Sequence, residues 1–146
     1  MVKVEMANLG HLNDIYRLEK SLFSIEAYSL NSIKQELSNP NRIYLAATDE
    51  NEKVLGYAGV NLLDDFAELI KIGVNKNFQN QGIAKIMLKE LVCKLKQTNK
   101  SRLLLEVNKS NFSAVNFYIN AGFELINTRK NYYKNGGDAL IYQLIL

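Results

Sequence analysis

Apolar residues along this chain change period several times, and each change marks a predicted element. Val2, Val4 and Met6 alternate, which predicts a short strand over residues 1–6. Leu12, Ile15, Tyr16, Leu18 and Leu22 then recur at three- and four-residue spacings, the inward face of a helix that Asn8 can cap. That spacing breaks from Phe23 to Tyr28, and a second short helix is predicted over 29–37. Asn39-Pro40-Asn41 ends it, because the residue before a proline is pushed out of the helical region. Residues 42–48 and 54–63 read as strands joined by the polar turn Asp49-Glu50-Asn51-Glu52, and Asp64-Asp65 leads into a strand over 67–74. Three neighbouring strands with short polar turns suit an antiparallel meander.

The second half alternates between the two periods. A polar loop after Val74 opens a helix whose apolar positions are Ile83, Ile86, Met87, Leu88, Leu91 and Val92, ending near Gln97-Thr98-Asn99. A strand is predicted over 102–107. A helix over 113–121 carries Ala114, Phe117, Tyr118 and Ala121 as one stripe and is closed by Gly122, where a left-handed cap is wanted. Two last strands, 123–128 and 139–146, are joined by a long loop holding Tyr132, Tyr133, Gly136 and Gly137. The order βααβββαβαββ predicts an α/β fold, one domain over residues 1–146, with a mixed, largely antiparallel sheet flanked by helices.

Composition narrows the partners. Of 146 residues 47% are hydrophobic and 23% charged, and the net charge of +3 is spread without the concentrated basic stripe that a nucleic-acid surface needs. No apolar run reaches the length of a membrane span, and Met1 to Glu5 lack a signal-peptide core, so a cytoplasmic protein with no membrane or nucleic-acid partner is expected. The single Cys93 excludes an intrachain disulfide and a Cys-rich zinc site, and its place in an apolar helix predicts a buried thiol. The single His11 excludes a multi-histidine metal centre and is expected at the surface. No metal site is predicted.

The candidate chemistry begins at residue 72. Ile72-Gly73-Val74 closes a strand that passes through a polar loop into a helix, and the first amides of such a helix have no partners of their own. With the positive end of the helix dipole they suit a phosphate, and the small Gly82 and Ala84 let an anion approach the backbone. The spacing matches neither Gly-x-Gly-x-x-Gly nor the Gly-x-x-x-x-Gly-Lys-Ser/Thr loop. In the strand Leu103 to Asn108, alternation places Glu106 with Leu104 and Asn108, opposite Leu103, Leu105 and Val107. Glu106 is either a solvated carboxylate or a general base whose pKa is raised by partial burial. Asn111 reads as a helix N-cap and Tyr118 as a core aromatic whose hydroxyl needs a partner.

Gln79-Asn80-Gln81-Gly82-Ile83-Ala84 resembles the (Gln/Arg)-x-x-Gly-x-(Gly/Ala) loop of the GNAT superfamily of N-acetyltransferases. The spaced set Leu105-Glu106-Val107, Ser110-Asn111, Ala114, Phe117-Tyr118, Gly122-Phe123, Arg129, Asn131-Tyr132-Tyr133 and Asp138-Ala139 resembles its RimI-type branch, which acetylates the N-terminal alanine of a small-subunit ribosomal protein. The similarity spans nearly the whole chain and is densest after Ile72. It implies acetyl-CoA as co-substrate, with its pyrophosphate on the amides of Gln79, Asn80, Gln81, Gly82, Ile83 and Ala84. It implies that Ile72, Gly73 and Val74 follow the pantetheine arm through their backbone, and that Asn111 touches the cofactor. Glu106 becomes the proton acceptor and Tyr118 the proton donor. A phenol of pKa about 10 stays protonated and can donate to a departing thiolate of about 8.5. Lys85 could neutralise phosphate charge, and Tyr132 and Tyr133 would border a peptide entrance.

Three departures lie on the acceptor side: Asn108 where arginine is common, Ala27-Tyr28-Ser29 for a Pro-Trp-Ser pattern, and Gly137 before Asp138 where an acidic residue is common. They bear on which peptide is recognised. Two other readings stay open at this level. One is acetylation of a small amine, such as a polyamine or an amino sugar, with carboxylates drawn from Glu26, Glu36, Asp64 and Asp65. The other is a non-catalytic acyl-CoA-binding module. Oligomeric state and acetylation of lysine ε-amines are not specified by the pattern.

Overall fold

The computed structural model describes residues 1–146. Its elements run β1 (Lys3–Met6), α1 (Leu12–Phe23), α2 (Leu30–Ser38), β2 (Arg42–Thr48), β3 (Val54–Leu62), β4 (Phe66–Val74), α3 (Ile83–Lys96), β5 (Arg102–Asn108), α4 (Phe112–Asn120), β6 (Glu124–Arg129) and β7 (Ala139–Ile145). This is the predicted order. Short 3₁₀ turns at Leu9–His11, Ser24–Glu26 and Lys76–Phe78 were not predicted, being too short to show a period. The strands form one sheet in the order β1-β2-β3-β4-β5-β7-β6. Every neighbouring pair is antiparallel except β4–β5, which α3 joins as a parallel crossover.

Polar side chains satisfy first amides at the turn before α1 and at the starts of α2 and α4. Asn8 accepts from the Gly10 N–H at 2.8 Å while His11 Nδ1 accepts from the Asn8 N–H at 3.0 Å, a reciprocal box at the turn that feeds α1. His11 is therefore half-enclosed rather than a free surface residue, with its Nε2 3.2 Å from Glu5. Ser29 caps α2 by accepting from the Ser32 N–H at 3.1 Å. At the end of α4, Gly122 takes φ +97°, and the Phe123 N–H reaches back to the Tyr118 carbonyl.

A hydrophobic core covers each sheet face. The larger one packs Ile83, Met87, Leu91 and Leu95 of α3 against Leu45, Val60, Leu103 and Leu105, and it takes in Tyr118 and Phe123. The smaller one lies under α1 and α2, where Ile15, Leu18 and Ile33 meet Tyr44, Val54 and Tyr57. Cys93 is exposed, contrary to the expectation. The buried stripe of α3 runs at four-residue steps from Ile83 to Leu95, and a residue two places past Leu91 points about 200° away from it.

One irregularity positions the site. Gly59 pairs with Lys71 and Val60 with Leu69, so Ile70 is an extra residue in β4. Leu69 and Ile72 face the α3 core, and Ile70 faces the α1/α2 core. The bulge also turns Lys71 to the α1/α2 face, where it meets Glu19 of α1.

Candidate active site

The sheet splits beside this bulge. β4 and β5 pair only at Phe66–Arg102, Ala67–Leu103 and Glu68–Leu104, yet β4 runs on to Val74 and β5 to Asn108. A wedge opens between them toward their carboxyl ends. The Asn75 N–H donates to the Leu55 carbonyl at 2.7 Å, which makes Gly56–Val74 a non-hydrogen-bonded pair of the β3–β4 ladder, and Ala58–Ile72 another. The backbone N–H and C=O of Ile72 and Val74 therefore point away from β3, into the wedge. Gln79 Nε2 donates to the Val74 carbonyl at 2.9 Å, as that orientation requires. The Val74 N–H is left facing the gap, while the Gln79 side chain is spent on the strand end and offers a ligand only its main chain.

The loop beyond it is built of unclaimed donors. From Asn80 through Lys85 no backbone N–H has an acceptor within the protein, and Gly82 provides no side-chain cap for α3. Asn80 takes φ +63° and Gly82 φ +86°, so left-handed residues alternate with ordinary ones and turn successive amides to one side. A Cβ on Gly82 would meet nothing within 4 Å, so the loop is open over its glycine. Together with the N-terminal dipole of α3, this cradle fits a doubly charged pyrophosphate. Lys85 is exposed on the first turn. Asn111 caps α4 by accepting from the Ala114 N–H at 3.2 Å, on the far side of the wedge.

Glu106 and Tyr118 lie on opposite faces of the sheet. Leu105 and Val107 are buried in the α3 core, so Glu106 faces the α1/α2 side with Glu68 of β4. The Glu106 side chain is 34% accessible, between the solvated and the fully buried alternatives. β5 has lost β4 as a neighbour there, so nothing covers it from that side. Glu106 is instead held from the β6–β7 connection, where the Tyr133 hydroxyl donates to Oε1 at 3.0 Å and Arg129 Nη1 lies 3.6 Å from Oε2.

Tyr118 is buried in the larger core, edge-on to Phe117 and Phe123 with ring centroids 5.3 and 5.6 Å away. Its hydroxyl has no hydrogen-bond partner, and no fully buried side-chain oxygen or nitrogen lacks one, so this hydroxyl reaches an open surface. Burial of the ring pushes its pKa up to about 12, which keeps it a donor throughout the neutral range.

Tyr44 and Tyr57 are also raised, first by burial and then by the glutamates they donate to. All three folded-state values exceed the unfolded value of about 10. The folded chain thus holds these protons more tightly, and the stability they contribute is complete below about pH 10 and lost as pH rises above it. The urea midpoint is expected to be level between about pH 7 and 9 and to fall steadily above 10. A midpoint unchanged at pH 11 would contradict it.

A second cluster walls the same face. Glu19 is 1% exposed and accepts from Lys71 Nζ, the Tyr57 hydroxyl and the Tyr28 N–H, the last at 2.7 Å. Lys71 lies 3.7 Å from the centroid of Tyr28 and 4.5 Å from that of Phe23. The cluster ties both ends of the segment joining α1 and α2 to β4. No sequence spacing links Glu19 with Lys71. The only available signal is a glutamate beside Leu18 on the buried stripe of α1. The contact of Glu106 with Arg129 and Tyr133 was equally hidden, although the two latter residues belong to the motif set.

A wedge between parallel strands and an amide cradle opening a helix suit a ligand that carries phosphates, and a carboxylate and a phenol on opposite sheet faces suit proton transfer. The chain belongs to the Acetyltransferase (GNAT) family, whose sequence model matches residues 11–123. It is an acyltransferase, and acetyl-CoA is the co-substrate of its family. The Escherichia coli [ribosomal protein bS18]-alanine N-acetyltransferase is 33% identical over 70% of this chain and 70% of its own. A Bacillus subtilis relative, to which that activity is assigned provisionally, is 31% identical over 94% of this chain and 91% of its own. The crystal structure of the E. coli ribosomal-protein-S18-alanine N-acetyltransferase superposes with a TM-score of 0.88 at 26% identity, over 99% of this chain and 94% of that one. Arabidopsis thaliana NAA60 in complex with acetyl-CoA shares the fold, with a TM-score of 0.87 at 15% identity over 100% of this chain and 99% of that one. No helix is long and apolar enough to cross a membrane.

Proposed function

We propose that this chain acetylates the α-amino group of a protein N-terminus, with the N-terminal alanine of a small-subunit ribosomal protein as its acceptor. The observation that carries this reading is the charge at the mouth of the wedge. A polyamine or amino sugar acceptor calls for several carboxylates there. Glu106 is paired with Arg129 instead, and Glu36 is bound to Arg42 and Tyr44 between α2 and β2. Asp64 and Asp65 lie at the start of β4, about 25 Å of strand from Val74. Of the four carboxylates considered, only Glu26 acts near the mouth, through its field on Tyr133. The activity in the E. coli relative's name points to the same acceptor.

Acetyl-CoA supplies the acyl group in an activated thioester. The amides of Asn80 to Ala84 bind its pyrophosphate. The backbones of Ile72 and Val74 align the arm, while Gly73, expected to join them, turns its N–H and C=O to Tyr57 of β3 in a hydrogen-bonded pair; Asn111 approaches the arm from α4. The Val74 N–H, aimed into the wedge, stabilises negative charge developing on a carbonyl oxygen there. Glu106 takes the proton of the incoming ammonium, directly or through water. An α-amine of pKa about 7.7–8.0 surrenders it far more readily than a lysine at about 10.4. The Tyr118 hydroxyl donates to the leaving sulfur from the opposite face.

The test is mass spectrometry of peptides incubated with the protein and acetyl-CoA. An Ala-starting ribosomal-protein peptide is expected to gain one acetyl group at its free α-amine. The same peptide with a blocked N-terminus, and several polyamines, are expected to gain none. Acetylated polyamine with untouched peptide would replace this reading by the small-amine one. Bound CoA without any product would point to a non-catalytic binding module.

A further inference from the structure

We propose that Arg129 and Tyr133 are positioning residues for Glu106, so that the proton acceptor of this enzyme is assembled jointly by β5 and the β6–β7 connection. The inference rests on the reading of Glu106 as the acceptor of the amine proton. Its basis is geometric. Glu106 stands where β5 has parted from β4, so the sheet itself does not fix its side chain. The two carboxylate oxygens instead face different partners: Oε1 accepts from the Tyr133 hydroxyl at 3.0 Å, and Oε2 forms an ion pair with Arg129 Nη1 at 3.6 Å, beyond hydrogen-bond length. A carboxylate has about four lone-pair directions, so both oxygens keep one free for an amine or a water.

The donors are themselves braced. Arg129 closes β6, and its guanidinium lies 5.4 Å from the centroid of the Tyr132 ring. Tyr132 meets Tyr133 edge-on at 5.2 Å. The loop is closed on itself by the Tyr133 N–H to Gly137 and the Gly136 N–H to Tyr133, at 3.1 and 2.9 Å. Asp138 accepts from the Asn131 N–H at 3.0 Å and pairs with Lys130, while the Lys109 N–H donates to its carbonyl. The connection is thus stapled to the residues that directly follow β5. Other charged groups on this face are Glu26 from the α1–α2 segment, Glu68 on β4, and Lys71, which is taken by Glu19. None of them is recorded in contact with Glu106.

A merely structural tie and a positioning role differ in how their losses combine. Tyr133→Phe and Arg129→Gln would be made singly and in a Glu106→Gln background, with steady-state kinetics on an Ala-starting peptide and acetyl-CoA. Tyr133→Phe is expected to lower kcat by about tenfold, the worth of one hydrogen bond to a charged group, and Arg129→Gln by about two- to fivefold, the worth of a half-exposed ion pair, with KM for acetyl-CoA unchanged in both. Arg129→Lys is expected to recover part of the loss. In the Glu106→Gln background the same substitutions are expected to cost less than about twofold, because the group they position no longer accepts a proton. An undiminished loss in that background, or a loss confined to KM, would overturn the proposal. Glu106→Gln retaining full turnover would instead overturn the reading of Glu106 on which it rests. Urea midpoints of all variants separate these outcomes from a fault in folding.

Discussion

Glu106→Gln is expected to lower turnover by about 10²- to 10⁴-fold and to leave acetyl-CoA affinity where it was. The substitution keeps the shape of the side chain and an oxygen that can still accept from Tyr133, but removes the ability to take a proton. The amides without acceptors run from Asn80 to Lys85, and the main-chain groups aimed into the wedge belong to Ile72 and Val74. None of these groups touches Glu106. Release of free CoA followed with a thiol reagent would give kcat, and calorimetric titration with acetyl-CoA would give affinity. Turnover within about twofold of the parent would remove Glu106 from proton transfer. A large loss of affinity would mean that the two halves of the wedge are not independent.

The second large effect concerns stability. Lys71→Met is expected to destabilise the fold by about 3–5 kcal/mol, because it strands the Glu19 carboxylate in the smaller core without its cation. For a chain of this size that corresponds to a fall in Tm on the order of 10 °C. Methionine can fill the space between the Tyr28 and Phe23 rings, so packing contributes little to the loss. Adding Glu19→Gln should restore most of the stability. Its amide oxygen can still accept from the Tyr57 hydroxyl or the Tyr28 N–H, and no buried charge remains. Urea unfolding of both variants checks the pair. A double variant no more stable than Lys71→Met would show that the cost lies in packing rather than in the lone charge.

What could be read in advance divides along physical lines. Elements whose evidence lies within one turn or one strand were legible: the stripe of α1, the Asn111 cap, the meander of β2 to β4, and the Gly122 stop. Glu106 was placed on the correct side of β5 by alternation alone. How far it is covered was not legible there, because exposure depends on the strand opposite, and β4 leaves β5 after Glu68. Cys93 was misplaced because an apolar neighbourhood in sequence is not the buried arc of a helix. The bulge at Ile70 has no local signature, since an extra residue shows only when a partner strand supplies the register. Glu19 with Lys71, and Glu106 with Arg129 and Tyr133, join residues 52, 23 and 27 positions apart. Such pairs follow from the closed topology and leave no periodic trace. The amide cradle was the opposite case, because a strand, a polar loop and a glycine ahead of a helix already imply unclaimed N–H groups.

The cradle and the mouth are made of different material, and this affects how the enzyme can diversify. One half of the wedge presents main-chain amides, which every amino acid except proline supplies. Apart from Gly82 and the carbonyl-seeking Gln79, its lettering is free to drift without altering what it holds. The mouth is written in side chains: Glu106, Arg129, Tyr132 and Tyr133, with the wall pinned by Lys71. A lineage could exchange those few letters and acquire a new acceptor while every hydrogen bond offered to the donor molecule stayed in place.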